Sequence, residues 1–226
     1  MKAMILAAGR GERMRPLTDH TPKPLLQVAG KALIVWHLEN LKRAGIEQVV
    51  INTAWLSEQF EQALGDGSDY GIEITWSKEP EGGLETAGGI INALPHLGEE
   101  PFILVNGDIW CDFDFRDLPQ HISGLGHLVM VDNPAHHPVG DFSIHHDRVE
   151  NTPGLTFSGI SVLSPKLFAG AEVGFLKLRP FFEKAINKHS LTGEHYNGFW
   201  TDVGTPERLT QLSDFLSGRH SEQARR

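Results

Sequence analysis

The chain has 226 residues, is 40% hydrophobic, and carries 20 Lys and Arg against 29 Asp and Glu, for a formal net charge of −9. That length fits one large domain or two small ones with a real core. The acidic balance argues against nucleic acid as a partner, no apolar run is long enough to span a bilayer, and the single cysteine, Cys111, excludes an intrachain disulfide and suits a reducing cytoplasm.

Ala3 to Ala8 is a short apolar run that reads as a buried strand, and it is too short for a signal peptide. It breaks into a loop with two glycines (Gly9, Gly11) and three arginines (Arg10, Arg13, Arg15), and Lys23 follows between Pro22 and Pro24. Glycines allow tight turning and close backbone approach, and successive N–H groups in such a loop form an anion-binding concavity. Arginine adds forked donors for phosphate oxygens and lysine a point charge. The outline is that of a polyphosphate site, although a Gly/Arg-rich loop after a strand also reads as a solvated turn. It is neither a dinucleotide fingerprint nor a P-loop, because no G-x-G-x-x-G opens a helix and no G-K-[ST] follows.

Lys31 to Ala44 reads as a helix, with Ile34, Leu38 and Leu41 at helical spacing and Gly45 as its cap. Glu47 to Asn52 is a short strand, and Ser57 to Leu64 a helix with Ser57 as N-cap. Gly71 to Trp76 is a third strand. This alternation predicts a parallel sheet with helices on both faces. Gly82 and Gly83 then form a loop, and Thr86 opens a helix to Leu94, an arrangement that either caps a helix or offers amides to an anion or a flat ligand.

Pro101 to Val105 is an unalternating apolar run, hence a central strand buried on both faces. It ends in Asn106-Gly107-Asp108, where open α/β sheets bind ligands. Asp112, Asp114 and Asp117 read as solvated or capping residues. His127 to Val131 is another strand. The pairs His136/His137 and His145/His146 read as surface histidines, since neighbours on a strand point to opposite faces and His145 and His146 do not easily share an ion. Val139 to Ile144 and Leu155 to Leu163 are strand-like. Leu176 to Lys188 is a helix with Pro180 in its first turn. His195 to Asp202 reads as one strand, and Thr205 and Pro206 open a last helix as N-cap and first residue. Leu209, Leu212, Phe215 and Leu216 give that helix one apolar face. The folded domain is expected to span 1–218, with 219–226 a disordered tail.

The string Leu6 to Leu26, LAAGRGERMRPLTDHTPKPLL, closely resembles the signature of sugar-1-phosphate nucleotidyltransferases, LAAGxGxRxxPxTxxxPKPLL, without a gap. Asn106-Gly107-Asp108 and Trp200-x-Asp202-x-Gly204-Thr205-Pro206 are similar to the family's two metal-binding segments, and Ser158-Gly159-Ile160 to its sugar pocket. Glu85-Thr86-Ala87-Gly88 resembles a family stretch that reaches the nucleoside, except that many members have Gly where Glu85 stands. Leu84-Glu85-Thr86 looks like the branch acting on N-acetylmuramate 1-phosphate.

The resemblance implies an α/β, single-domain, Rossmann-like nucleotide-diphospho-sugar transferase fold with a mixed, mostly parallel central sheet flanked by helices. It implies a cytoplasmic, Mg²⁺-dependent enzyme of cell-wall recycling that joins UTP to a sugar 1-phosphate and releases pyrophosphate. Other sugars and bases, as in mannose-1-phosphate guanylyltransferases or glucose-1-phosphate thymidylyl- and uridylyltransferases, are rival readings, and an inert nucleotide-sugar-binding subunit is a remote one. Arg13, Lys23, Asp108 and Asp202 would be catalytic, with Asp108 and Asp202 on the metal. Ala8, Gly9, Gly11, Glu12, Arg13, Lys23, Gly83, Thr86, Ala87 and Gly88 would bind the nucleotide. Asn106, Gly140, Glu150 and Gly159 would bind the sugar, with Arg148 or Lys177 as candidate cations for a sugar-borne carboxylate. Arg10 and Arg15 read equally as loop charges. Neither nucleic acid nor membrane is expected as a partner, and the oligomeric state stays open with the balance toward a monomer.

Overall fold

The computed structural model describes residues 1–223, with 219–223 described by backbone alone. Strand β1 (Ala3–Leu6) comes first, followed by the long basic loop, the small hairpin β2 (Gln27–Val28) and β3 (Lys31–Ala32), and helix α1 (Leu33–Arg43). Helix α1 stops as its sequence predicts. Gly45 has φ 79°, its N–H bonds Lys42 O and the Ile46 N–H bonds Leu41 O, each at 3.0 Å, the Schellman pattern. Then come β4 (Gln48–Thr53), α2 (Ser57–Leu64), β5 (Glu73–Lys78), α3 (Glu85–Leu97), β6 (Phe102–Asn106), β7 (Ile109–Cys111), β8 (Gly126–Val131), β9 (Phe142–His145) and β10 (Arg148–Leu163). The chain closes with α4 (Arg179–Ile186), β11 (Leu191–Tyr196), β12 (Trp200–Asp202) and α5 (Pro206–Gln223).

The main sheet runs β11-β8-β10-β6-β1-β4-β5, with β9 paired to β10. Strands β6, β1, β4 and β5 are mutually parallel, and β10 runs antiparallel between β6 and β8. Strand β1 therefore has β4 on one side and β6 on the other. Such a reversal of strand order opens a crevice at the carboxyl ends, here beyond the Leu6–Asn106 pair.

Alternation along the strands sorts the core into two layers. Ala3, Ile5, Ile51 and Val105 pack with Ile34, Leu38, Phe60 and Leu64 of α1 and α2. Met4, Val50 and Leu104 pack with Ile90 of α3 and Phe182 of α4 on the other face. A third cluster joins Met14 of the basic loop, Trp110 of β7, Val203 and Leu212 of α5. Trp110 sits edge-on to Trp36, Phe199 and Phe215, each pair worth about 0.5–1.5 kcal/mol beyond its buried area. That cluster fixes the basic loop and the β7–β12 pair relative to each other.

Four local expectations are corrected. Leu56, at φ 51°, is the N-cap of α2 and no side chain caps it, so Ser57 is already helical. The stretch His195 to Asp202 splits into β11 and β12 at Asn197-Gly198-Phe199, because β12 leaves the main sheet to pair with β7. Helix α5 continues through Gly218 to Gln223, five residues into the expected tail, since no breaker follows that glycine; residues 224–226 lie outside the described residues. His145 and His146 are brought together, Nδ1 to Nδ1 3.1 Å, because His146 and Asp147 take left-handed φ of 47° and 67° in a hairpin turn where strand alternation no longer applies. No described helix is long and apolar enough to cross a membrane.

Candidate active site

A cavity of about 880 Å³ opens at the carboxyl ends of β1, β4 and β6. Its first wall is the loop after β1. The Ala7 N–H donates to Asn52 Oδ1 at 2.8 Å, which holds the start of that loop over β4. Gly11 has φ 69°, and a Cβ there would meet Thr18 Cγ2 at 2.9 Å, so the turn requires glycine. Arg10 donates to Thr18 O and to Asp19, and its guanidinium lies 3.9 Å from the Trp55 ring centroid. Arg15 also pairs with Asp19, at 2.7 Å. The hydrogen bond from Arg10, foremost, holds the Asp19 carboxyl below its ordinary pKa. Arg10 and Arg15 thus brace the loop. Arg13 lines the cavity, is exposed, and has no hydrogen-bond or ion-pair partner among the described residues.

Lys23 comes from a short turn after this loop and is only 8% exposed. Its Nζ lies 2.6 Å from Asp108 Oδ2. Asp108 follows β6, and its backbone O accepts the Val203 N–H at 2.7 Å. The β7–β12 register sets Asp202 opposite Ile109, so Asp202 lies one position from Asp108 along the paired segments. Asp202 Oδ1 takes Arg208 Nη1 at 2.5 Å, and His136 Nε2 lies 3.0 Å from the same oxygen. Asp108 Oδ1 and Asp202 Oδ2 accept no hydrogen bond from a described residue. Two hard oxygens in this arrangement fit a cation completed by substrate phosphates. Among the described residues no group of three His, Cys, Asp or Glu could hold a metal by itself.

The second wall is Glu79, Glu81 and Gly82 to Thr86, with Phe175 at its edge. Glu79 accepts from Asn52 Nδ2 at 2.6 Å and from the Leu84 N–H at 2.8 Å, and burial pushes its carboxyl above the ordinary pKa. Asn52 therefore ties the two walls together. Glu85, where the family pattern often has Gly, takes φ 60°, a backbone conformation in which glycine is at ease.

Ala8, Gly9, Gly11, Glu12, Arg13, Lys23, Gly83, Thr86, Asn106 and Asp108 all meet at this cavity. Gly159, at φ 85°, stands behind Asn106, and a Cβ there would lie 2.7 Å from the Asn106 side chain. Asp202 stands beside the wall residue Gly204. Ala87 and Gly88 are not at the cavity. Both donate their N–H to Leu176 O, and a Cβ on Gly88 would strike Gly174 O, so packing against the 174–176 segment explains that glycine. Gly140 packs on Leu155 O instead of facing the cavity. Glu150 lines a separate cavity with His145, His146 and Arg148, because the β9–β10 hairpin carries it away. Arg148 donates to His189 O, and Lys177 is exposed away from the main cavity.

Sequence reasoning missed Asn52, Glu79, His136 and Arg208. Arg208 carried a signal, a cation in the first turn of a helix, where the dipole disfavours one. His136 is a surface residue, as the sequence predicts, and reaches Asp202 from there.

Residues 2–142 match the family described as Nucleotidyl transferase. A protein of Neisseria meningitidis serogroup B named N-acetylmuramate alpha-1-phosphate uridylyltransferase is 54% identical over 224 residues, covering 93% of this chain and 96% of its own. A Drosophila pseudoobscura pseudoobscura mannose-1-phosphate guanylyltransferase catalytic subunit beta is 31% identical, over 99% of this chain but 64% of its own length. A Bacillus anthracis protein crystallised with sucrose superposes with a TM-score of 0.86 at 22% identity, covering 96% of this chain and 95% of its own. HddC from Yersinia pseudotuberculosis complexed with GMP-PN gives 0.77 at 20% identity, covering 95% and 99%. At such identities the likeness is one of fold.

Proposed function

The chain belongs to the nucleotidyl transferase family, and we propose that it transfers a uridylyl group from UTP to N-acetylmuramate α-1-phosphate. A phosphate oxygen of the sugar 1-phosphate attacks the α-phosphorus of UTP, the bond to the β-phosphate oxygen breaks, and pyrophosphate leaves as UDP-N-acetylmuramate forms. The observation that supports the reaction class is buried Lys23 paired with Asp108 in a cavity lined by the basic loop, with Asp202 on the strand paired to β7. The choice of sugar and base is supported by the relative 54% identical to this chain over nearly its whole length.

The chemistry needs no general base, because a phosphate monoester is mostly dianionic near neutral pH, with a second pKa of about 6. The obstacle is electrostatic, since two unit charges 4 Å apart repel by about 4 kcal/mol at an effective dielectric of 20. Charge neutralisation and in-line placement are therefore the protein's main tasks. Arg13, without a hydrogen-bond or ion-pair partner among the described residues, binds the triphosphate and the departing pyrophosphate. Lys23 holds the phosphates at the reacting centre, and the loop Ala8 to Glu12 shapes their seat. Gly83 and Thr86 contact the nucleoside, and Asn106, backed by Gly159, contacts the sugar. Asp108 and Asp202 would hold Mg²⁺, which when bound supplies Lewis-acid neutralisation of phosphate charge. We take a single chain as the working unit. We place the reaction in the cytoplasm, where nucleoside triphosphates are, as a step that returns cell-wall sugar to use.

The test is pyrophosphate release with Mg²⁺, with UTP, GTP, dTTP and CTP crossed against the 1-phosphates of N-acetylmuramate, N-acetylglucosamine, glucose and mannose. The expected result is strong preference for UTP with N-acetylmuramate 1-phosphate. Preference for GTP with mannose 1-phosphate would overturn the substrate, and no release in any pair would overturn the reaction.

A further inference from the structure

Arg208 breaks a local rule. It is the third residue of α5, where the helix dipole disfavours a cation by about 0.3–1 kcal/mol. Its side chain is nevertheless only 16% exposed, folded back over the turn so that Nη1 reaches Asp202 Oδ1. Gly204 makes the room. A Cβ there would lie 2.3 Å from Arg208 Nη2 and 3.0 Å from Asp202 Oδ2, so any side chain would push the guanidinium or the carboxylate away. His136 reaches the same oxygen from the loop between β8 and β9, with Nε2 2.8 Å from Arg208 Nη1 and 3.0 Å from Asp202 Oδ1. Guanidinium only donates, so Arg208 Nη1 bonds both Asp202 Oδ1 and the His136 ring nitrogen, and His136 bears on the carboxylate through Arg208.

A carboxylate turns easily about its last torsion, so holding one oxygen fixes the direction of the other. Asp202 has Oδ1 held by Arg208, which His136 steadies in turn, while Oδ2 is left beside the cavity-wall residue Gly204. Asp108 repeats the pattern with a different cation, Oδ2 on Lys23 and Oδ1 without a donor. We infer that Arg208, itself steadied by His136, is a positioning residue that clamps one oxygen of Asp202 and presents the other to a divalent cation, so that both Arg208 and His136 act through the carboxylate. The clamp rests on the metal-assisted reading above. Partners of this kind set the orientation and basicity of a ligand, and their loss costs about 10- to 100-fold in metal affinity.

The experiment titrates Mn²⁺ into the nucleotide-free full chain and reads binding by water-proton relaxation. Wild type, Asp202→Asn, Arg208→Gln and His136→Gln are compared, with Tm recorded for each. Arg208→Gln and His136→Gln should each weaken Mn²⁺ binding about 10-fold or more with Tm little changed. Arg208→Lys, which keeps the charge but not the fork, stands in with the same expected direction if Arg208→Gln does not fold. Wild-type or tighter affinity in either clamp variant, alongside a loss in Asp202→Asn, overturns the clamp and leaves the reaction standing. Tighter binding would mean that Arg208 competes with the metal. If Asp202→Asn binds Mn²⁺ as wild type does, the metal reading falls and the clamp falls with it.

Discussion

The two walls of the main cavity carry opposite charge. Arg10, Arg13 and Lys23 are its only lining cations among the described residues, and all lie on the segment after β1. Glu79, Glu81 and Glu85 face them from the segment after β5, with no lining Lys or Arg nearby. The first wall suits an anion. The second suits a neutral group rich in N–H and O–H donors, such as a base and ribose. Within the basic wall a further division holds: Arg10 and Arg15 are spent on Asp19, Lys23 is paired with Asp108, and Arg13 alone has no hydrogen-bond or ion-pair partner among the described residues. The contrast gives each wall its own expected failure, of rate on one side and of nucleoside choice on the other.

The largest effect is expected where the walls meet. Asp108→Asn and Asp202→Asn each keep the side-chain shape and remove an anionic oxygen ligand. Turnover measured by pyrophosphate release should fall at least about 10³-fold, equivalent to about 4 kcal/mol, with the fold retained by circular dichroism. Near-normal activity in either variant would remove that residue from the metal site.

Next in size is Arg13→Ala. The side chain is exposed and has no hydrogen-bond or ion-pair partner among the described residues for the substitution to delete. Tm should hold while kcat/KM drops about 10²- to 10³-fold, the usual cost of one charge-stabilising donor. Lys23→Gln should lose a similar factor and also some stability, because it strands Asp108 beside a neutral group. Equal Tm losses in both variants would break the distinction between the free and the paired cation.

The basic wall was far more legible in the sequence than the rest of the site. Gly9 to Lys23 is contiguous, and its residues act within one loop, so the spacing itself describes the geometry. The central strands were legible too, because Met4, Ile5 and Leu104 are buried on both faces and need no alternation. Asn52, Glu79 and His136 were not legible. Each reaches the site only after β4, β5 or β8 has taken its place in the sheet, and nothing local to a strand-end Asn or a loop His records that distance. The apparent nucleoside motif misled for a related reason. Gly88 reads as a ligand contact, yet the residue that demands it is Gly174, far along the chain. His145 and His146 are exposed as expected, but they face one another because a hairpin turn replaced the strand that alternation assumed.

A third expectation concerns what lies behind the basic wall. His37 of α1 is buried, and its Nε2 has no hydrogen-bond partner among the described residues. Burial holds its pKa down to about 4, against 6.5 for the free side chain. Below pH 6.5 the unfolded chain takes up a proton that the folded chain refuses. Stability is therefore full above that pH, falls as pH drops toward 4, and loses at most about 3 kcal/mol from this group. Urea titrations at several pH values should show the slope, and His37→Leu should flatten it without a large cost at pH 8. An unchanged slope in His37→Leu would assign the acid sensitivity elsewhere.

The smallest effect is expected on the acidic wall, and it bears on the division of labour most directly. Glu85 sits at φ 60° at the start of α3. A left-handed backbone costs a residue with a Cβ about 1–2 kcal/mol. Glu85→Gly removes that cost, but it also gives up a favourable charge at a helix N-terminus, about 0.3–1 kcal/mol, and adds freedom to the unfolded chain. The net gain should stay below about 1 kcal/mol, a rise in Tm of about 2–4 °C or less for a domain of this size. A residue kept in a strained conformation that glycine would relieve points to a role for its side chain. That carboxylate lines the cavity on the wall assigned to the nucleoside. Glu85→Gly should accordingly keep kcat with UTP within a few-fold while narrowing the preference for UTP over dTTP and GTP. A more stable variant with wild-type selectivity would leave Glu85 without a functional account. A variant that lost kcat for every nucleotide alike would move the second wall from choosing the nucleoside to the chemistry itself.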